Sequence, residues 1–184
     1  MQCHHCGVLL APPPTIDYFV LMDQPIRFDL DLKKLAGKFK KLQFVIHPDR
    51  FSTKSPEELA HSENWSPLVN QAFSTLYDPM SRALYMLEKF GQPLLEGDQP
   101  VLDAEFLLEI MEVNEELDEV ECKDDIEDLK ARVTEELEKL HETLKEHFDQ
   151  EQAYEAKLVV AKMQYFHNLR HKIKEKELEL GIVD

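Results

Sequence analysis

Apolar positions recur along most of the 184-residue chain at spacings of three and four, the period of helices that bury one side. A short helix is expected over Asp17–Met22. A long one follows a loop containing Pro25, with Asp29 placed to cap it. On this second helix Leu32, Leu35, Ala36, Phe39, Leu42 and Ile46 gather on one side. Pro48 then forbids further helix and pushes His47 out of helical geometry. A third helix is expected over residues 56–77, with Pro56 at its start and Glu57 and Glu58 in its first turn. Pro67 should kink or split it, and Leu68, Ala72, Phe73 and Leu76 form a stripe past the break. A shorter helix begins near Ser81 and ends at Phe90, where Gly91 suits the left-handed residue that closes a helix.

From Gln92 to Val101, Pro93, Gly97 and Pro100 interrupt any periodicity and mark a linker. Three amphipathic segments follow. Asp103 can cap the first, residues 103–120; the second, 122–148, spaces Ile126, Leu129, Val133, Leu137, Leu140 and Leu144 helically. Asp149 with Gln152 reads as a capping box for the last, whose stripe is Tyr154, Leu158, Ala161, Tyr165, Leu169 and Ile173. Short connections imply a small antiparallel bundle, with residues from about Glu177 frayed. In the first bundle helix Phe106, Ile110, Val113, Leu117 and Val120 fall within roughly 40° of one another's mean direction and make a full core stripe. Leu107, Leu108 and Met111 lie about 100° to 200° away, beside Glu112, Glu115 and Glu119. Such a carboxylate-rimmed apolar patch is either a protein-docking surface or a second packing face.

Charge divides the chain. The net of −16 and the pI near 4.9 argue against nucleic acid as a partner. Residues 103–151 hold 20 acidic and 5 basic side chains, so nearly the whole imbalance lies in the C-terminal half. The N-terminal half is close to neutral and concentrates Lys33, Lys34, Lys38, Lys40 and Lys41 on the helix before Pro48; two modules with different partners fit this asymmetry. Phe44 falls among those lysines on the helical wheel. No apolar run reaches the roughly 20 residues of a membrane span, and no membrane partner is expected. Three cysteines make no disulfide framework and fit a reducing compartment. Residues 1–7 lack the apolar stretch of a secretory signal; an organelle presequence stays open.

His47-Pro48-Asp49 offers a ring, a rigid turn and a carboxylate. A hydrolytic use, with His47 as base and Asp49 orienting it, lacks a nucleophile, an oxyanion donor and a pocket. Helix, HPD loop, helix is the layout of a J domain, and residues 16–92 resemble one throughout. The resemblance implies no catalysis in this chain: the HPD loop would stimulate ATP hydrolysis by a DnaK-type chaperone, with Lys34, Lys38 and Lys41 meeting an acidic chaperone surface. On its own, a lysine run reads as a solvated face.

With an acidic three-helix bundle after the J domain, nearly the whole chain resembles the HscB family of iron–sulfur cluster co-chaperones. The stretches that carry this are residues 47–51 (HPDRF), 68–73 (LVNQAF), 79–85 (PMSRALY) and 106–112 (FLLEIME). The expected fold is all-α: an N-terminal J domain followed by an antiparallel three-helix bundle over 103–176, with residues 1–15 a Cys/His segment and Pro-rich linker, 93–102 the inter-domain linker and 177–184 a tail. The resemblance implies a cluster scaffold protein as partner, held by Leu107, Leu108, Met111, Glu112, Glu115, Glu119 and Tyr165. It also implies a mitochondrial matrix location, with the cytoplasm as a second compartment. Eukaryotic proteins similar to HscB carry two CxxC pairs near the N-terminus, and Cys3-His4-His5-Cys6 resembles one of them. No cofactor is required for the co-chaperone role; zinc at Cys3 and Cys6 is one expectation and a disordered stub the other. Other readings are a J-domain co-chaperone for a different client, a structural adaptor with a degenerate J domain, and a zinc or redox protein built on Cys3 and Cys6.

Overall fold

The computed structural model describes residues 1–182 apart from His4, Glu96 and Gln99. Among these the chain is helical, with one isolated antiparallel bridge between Gln2 and Leu9. It folds as two compact units, Met1–Tyr85 and Met86–Asp184.

In the first unit, helix α1 (Tyr18–Leu21) is capped by Asp17, whose carboxylate accepts from the Phe19 and Val20 N–H groups. Helix α2 (Leu32–Ile46) begins two residues later than the sequence pattern indicates. Asp31, not Asp29, is its cap, accepting from the Lys33 and Lys34 N–H groups at 3.0 Å each. Helix α3 (Pro56–Tyr77) packs antiparallel to α2 and is capped by Ser55, whose hydroxyl accepts from the Glu58 N–H. Its buried residues are Ser62, Trp65, Val69, Ala72 and Leu76, so Val69 takes the place expected for Leu68. Phe39 of α2 stacks on Phe73 of α3 at 4.2 Å between ring centroids.

Pro67 neither splits nor ends α3. It stands on the exposed side, next to the exposed Glu63 whose carbonyl loses its donor, and water can serve that carbonyl. Helix α4 (Pro79–Lys89) starts two residues earlier than expected, opened by Asp78, which accepts from the Ser81 N–H at 2.7 Å. Buried Arg82 donates to the Leu76 carbonyl at 2.5 Å and lies 5.1 Å from the Phe28 ring centroid, fixing the corner between α3 and α4. Gly91, at φ 73°, closes α4 with paired bonds from Gly91 to Glu88 and from Gln92 to Leu87.

The second unit is a bundle of α5 (Ala104–Glu119), α6 (Lys123–Asp149) and α7 (Ala153–Glu179). The inner stripes of α5 and α6 contain the residues their periodicity selects, except that Leu140 is half-buried and Phe148 extends the α6 stripe. Helix α7 differs. It packs against both α6 and α5, so its buried arc is broad: Ala156, Val159, Val160, Ala161, Met163, Phe166, Leu169 and Ile173. Tyr154 and Tyr165, read as core from a single-stripe pattern, are exposed. The Asp149–Gln152 capping box does not form, because α6 runs through Asp149 and the Gln152 side chain pairs with His147 Nδ1 at 2.7 Å instead. Glu177 is not frayed; it accepts from Lys130 Nζ at 2.6 Å. No helix among the described residues is long and apolar enough to cross a membrane.

Replacing Pro67 with alanine restores one helical hydrogen bond at an exposed position. The variant should be more stable by about 1–2 kcal/mol, read as a raised urea midpoint with an unchanged slope.

Candidate functional site

The chain presents two separate faces. The first is the junction of α2 and the HPD turn. Ending α2 at Ile46 leaves its last carbonyls without helical partners. Two side chains supply donors. The Ser62 hydroxyl, fully buried on α3, donates to the Ile46 carbonyl at 2.5 Å. The Arg50 guanidinium donates to the Phe44 carbonyl at 3.1 Å and sits 4.3 Å from the centre of the Phe44 ring. Between these anchors Pro48–Arg50 forms one 3-10 turn, closed by the Arg50 N–H on the His47 carbonyl at 3.0 Å.

Within the turn the Asp49 N–H donates to His47 Nδ1 at 3.3 Å, and Asp49 Oδ2 lies 3.6 Å from the same nitrogen. The first contact needs a ring with Nδ1 unprotonated, so the proton of neutral His47 sits on Nε2; the second becomes an ion pair once the ring is charged. Both side chains are exposed. Lys34, Lys38 and Lys41 lie on α2 within about 60° of one another around its axis. Lys34 stands roughly 20 Å of helix rise from His47 and Lys41 about 9 Å, so the three make a stripe that leads to the turn. Lys38 is half-buried beside Asp23 at 3.5 Å; Lys34 is exposed near Asp31.

The second face is the outer side of α5. Leu107, Leu108 and Met111 are 37, 59 and 57% exposed, with Glu112, Glu115 and Glu119 exposed beside them. Tyr165 of α7, 39% exposed, meets buried Phe106 edge-on at 5.7 Å and so borders this patch. The N-terminus of α5 is held by Asp103, which accepts from the Phe106 N–H at 2.8 Å and pairs with Lys162 of α7 at 2.6 Å. The Lys162 hydrogen bond, and then the Phe106 N–H, hold the Asp103 carboxyl below its usual value. Lys162 also lies 4.8 Å from the Phe106 ring centroid. Further along, Lys172 donates to Asn114 at 2.6 Å and Arg132 to Glu116 at 2.7 Å. Polar ties therefore flank the inner side of α5, and the outer side keeps its leucines, methionine and carboxylates open.

Cys3 and Cys6 belong to a small hairpin. The Cys3 N–H donates to the Val8 carbonyl and the Gly7 N–H to the Cys3 carbonyl, both at 2.9 Å, with Gly7 at φ 72°. Backbone N–H groups of His5, then Cys6, approach the Cys3 sulfur and lower its pKa. The segment is not loose: Leu9 is fully buried, and Trp65 Nε1 donates to the Leu10 carbonyl at 2.7 Å. Among the described residues no third metal-ligating side chain joins this pair; His4 lies outside them.

Sequence reasoning placed Phe44 among the lysines but missed Arg50 as its partner. It also missed Ser62 and Lys162, which act across helix pairs and leave no periodic trace.

A helical hairpin with an HPD turn, joined in one chain to an acidic three-helix bundle, is the architecture of a J-domain co-chaperone. The family model described as the HSCB C-terminal oligomerisation domain matches residues 102–174. The human iron–sulfur cluster co-chaperone protein HscB is 40% identical over 178 residues, 97% of this chain and 76% of that protein. The co-chaperone protein HscB of Proteus mirabilis (strain HI4320) is 40% identical over 126 residues, 68% of this chain and 73% of that protein. The crystal structure of human HscB superposes with a TM-score of 0.91, covering 97% of this chain and 91% of that one. Chaperone HscB from Vibrio cholerae gives 0.77 at 30% identity, covering 90% and 99%. The chain belongs to the HscB family of iron–sulfur cluster co-chaperones.

Because the Asp103 carboxyl is depressed in the folded bundle, its contribution is present above the unfolded value near pH 4 and is lost as pH falls through the folded one. Asp103→Asn should flatten the fall in the urea midpoint between about pH 5 and pH 2.5 relative to the parent chain.

Proposed function

We propose that this chain is a two-ended bridge without catalysis of its own. Its bundle binds an iron–sulfur cluster scaffold protein, and its J domain brings that cargo to a DnaK-type chaperone and stimulates the chaperone's ATPase, promoting cluster transfer. The observation that carries this reading is the open α5 patch: three apolar side chains and three carboxylates with polar ties only on the opposite edge. Leu107, Leu108, Met111 and Tyr165 supply apolar contact, and Glu112, Glu115 and Glu119 take a basic edge of the partner. At the other end the lysine stripe of Lys34, Lys38 and Lys41 attracts an acidic surface. His47, Pro48 and Asp49 form the rigid tip that favours the hydrolysis-competent state by binding it better. A mitochondrial matrix location accompanies this role.

Cys3 and Cys6 supply two thiolates of a zinc site. The lowered Cys3 pKa and the tight hairpin favour metal binding, and two further ligands must complete the four of a closed site. Zinc is no part of either partner contact in this reading.

The description of the matching family model as an oligomerisation domain favours a second reading, in which the α5 patch meets a second copy of the chain. Sedimentation of the parent chain across concentrations separates the two.

In a pull-down with purified scaffold protein, Leu107, Leu108 and Met111 changed together to serine should weaken capture by more than about tenfold while leaving ATPase stimulation intact. His47→Gln should do the reverse, abolishing stimulation in a steady-state ATPase assay and sparing capture. Loss of both activities in either variant contradicts the division of labour.

A further inference from the structure

Phe44 is 69% exposed on the last turn of α2, although it is a large apolar side chain on a lysine-bearing face. Exposure of this kind has a cost and asks for a use. Its one ring partner is the Arg50 guanidinium, 4.3 Å from the centroid. The same guanidinium donates to the Phe44 carbonyl at 3.1 Å. Arg50 is the last residue of the 3-10 turn that carries His47 and Asp49, so the two contacts bolt the far end of that turn onto α2. The near end is fixed independently by Ser62 on the Ile46 carbonyl. With both ends tied, the direction in which His47 and Asp49 stand relative to the lysine stripe is set before any partner arrives.

We infer that Phe44 is a positioning residue for the HPD turn, acting through Arg50: its ring and its carbonyl hold the guanidinium, and the guanidinium holds the turn. The inference rests on the reading that this turn stimulates a chaperone ATPase. A turn left hinged at Ile46 alone would have to be ordered on binding, and that ordering weakens the encounter. Lysine at position 50 keeps the charge but loses the planar group that stacks on the ring and donates in plane.

The test uses the full chain, a purified DnaK-type chaperone and steady-state ATPase titrations, with thermal melting alongside. Phe44→Leu, apolar but without a ring quadrupole, and Arg50→Lys should each raise the half-maximal concentration by about two- to fivefold, the factor an exposed cation–π contact is worth. Phe44→Tyr should match the parent. The double variant Phe44→Leu/Arg50→Lys should be no worse than either single one, because both remove the same contact. Melting temperature and scaffold capture should stay at parent values in all four. A Phe44→Leu chain with parent stimulation, or strictly additive effects in the double variant, overturns the clamp. Failure of the parent chain itself to stimulate the ATPase overturns instead the function on which the inference rests.

Discussion

Pro48 removes the N–H that would have carried α2 forward, and the carbonyls of its last turn must find donors elsewhere. The first unit is arranged around that requirement. Ser62 is a fully buried polar residue in α3, and its partner is the Ile46 carbonyl, the last of α2. Arg50 reaches back six residues to Phe44. A helix end that would otherwise fray is converted into a fixed corner, from which an exposed histidine and an exposed carboxylate project. The apolar interface of α2 and α3 supplies the energy of the hairpin, but polar bonds at its tip decide where the chemistry points.

The second unit makes a different use of the same helical material. Helix α7 spends a broad arc on two neighbours, which lets α5 pack through one narrow stripe and leave its other apolar residues outside. Lys162 and Lys172 of α7 hold residues at the inner margin of α5 by hydrogen bonds rather than by further burial. The open patch thus follows from how the core is shared among the three helices, and the acidic side chains around it keep so much exposed carbon soluble.

Much of this was legible in the sequence because helices write their burial as a period. The core stripes of α5 and α6 emerge from spacing alone, and so does the separation of Leu107, Leu108 and Met111 from the α5 stripe. Helix α7 misled because a helix with two packing partners has no single stripe, and Tyr154 and Tyr165 completed an apparent one. Asp29 and Asp31 are equally good caps by type; the backbone chose the later. Asp149 was unavailable as a cap because α6 continued through it. Pro67 was harmless on the water side, and no local pattern states which side that is before the tertiary contacts are known. The contacts of Arg50, Ser62 and Lys162 were invisible for the same reason, since each joins residues on different elements or across a turn.

The indole of Trp65 is nearly inaccessible and bonded to the Leu10 carbonyl, and no other tryptophan occurs in the chain. Intrinsic emission excited at the red edge of the protein band therefore comes from a single chromophore, seated where the cysteine hairpin rests on α3. Its wavelength tracks one unit of the molecule, while the helical signal of circular dichroism averages over both. The protein carries a built-in optical gauge that separates melting of the hairpin-bearing half from melting of the bundle, with no label attached.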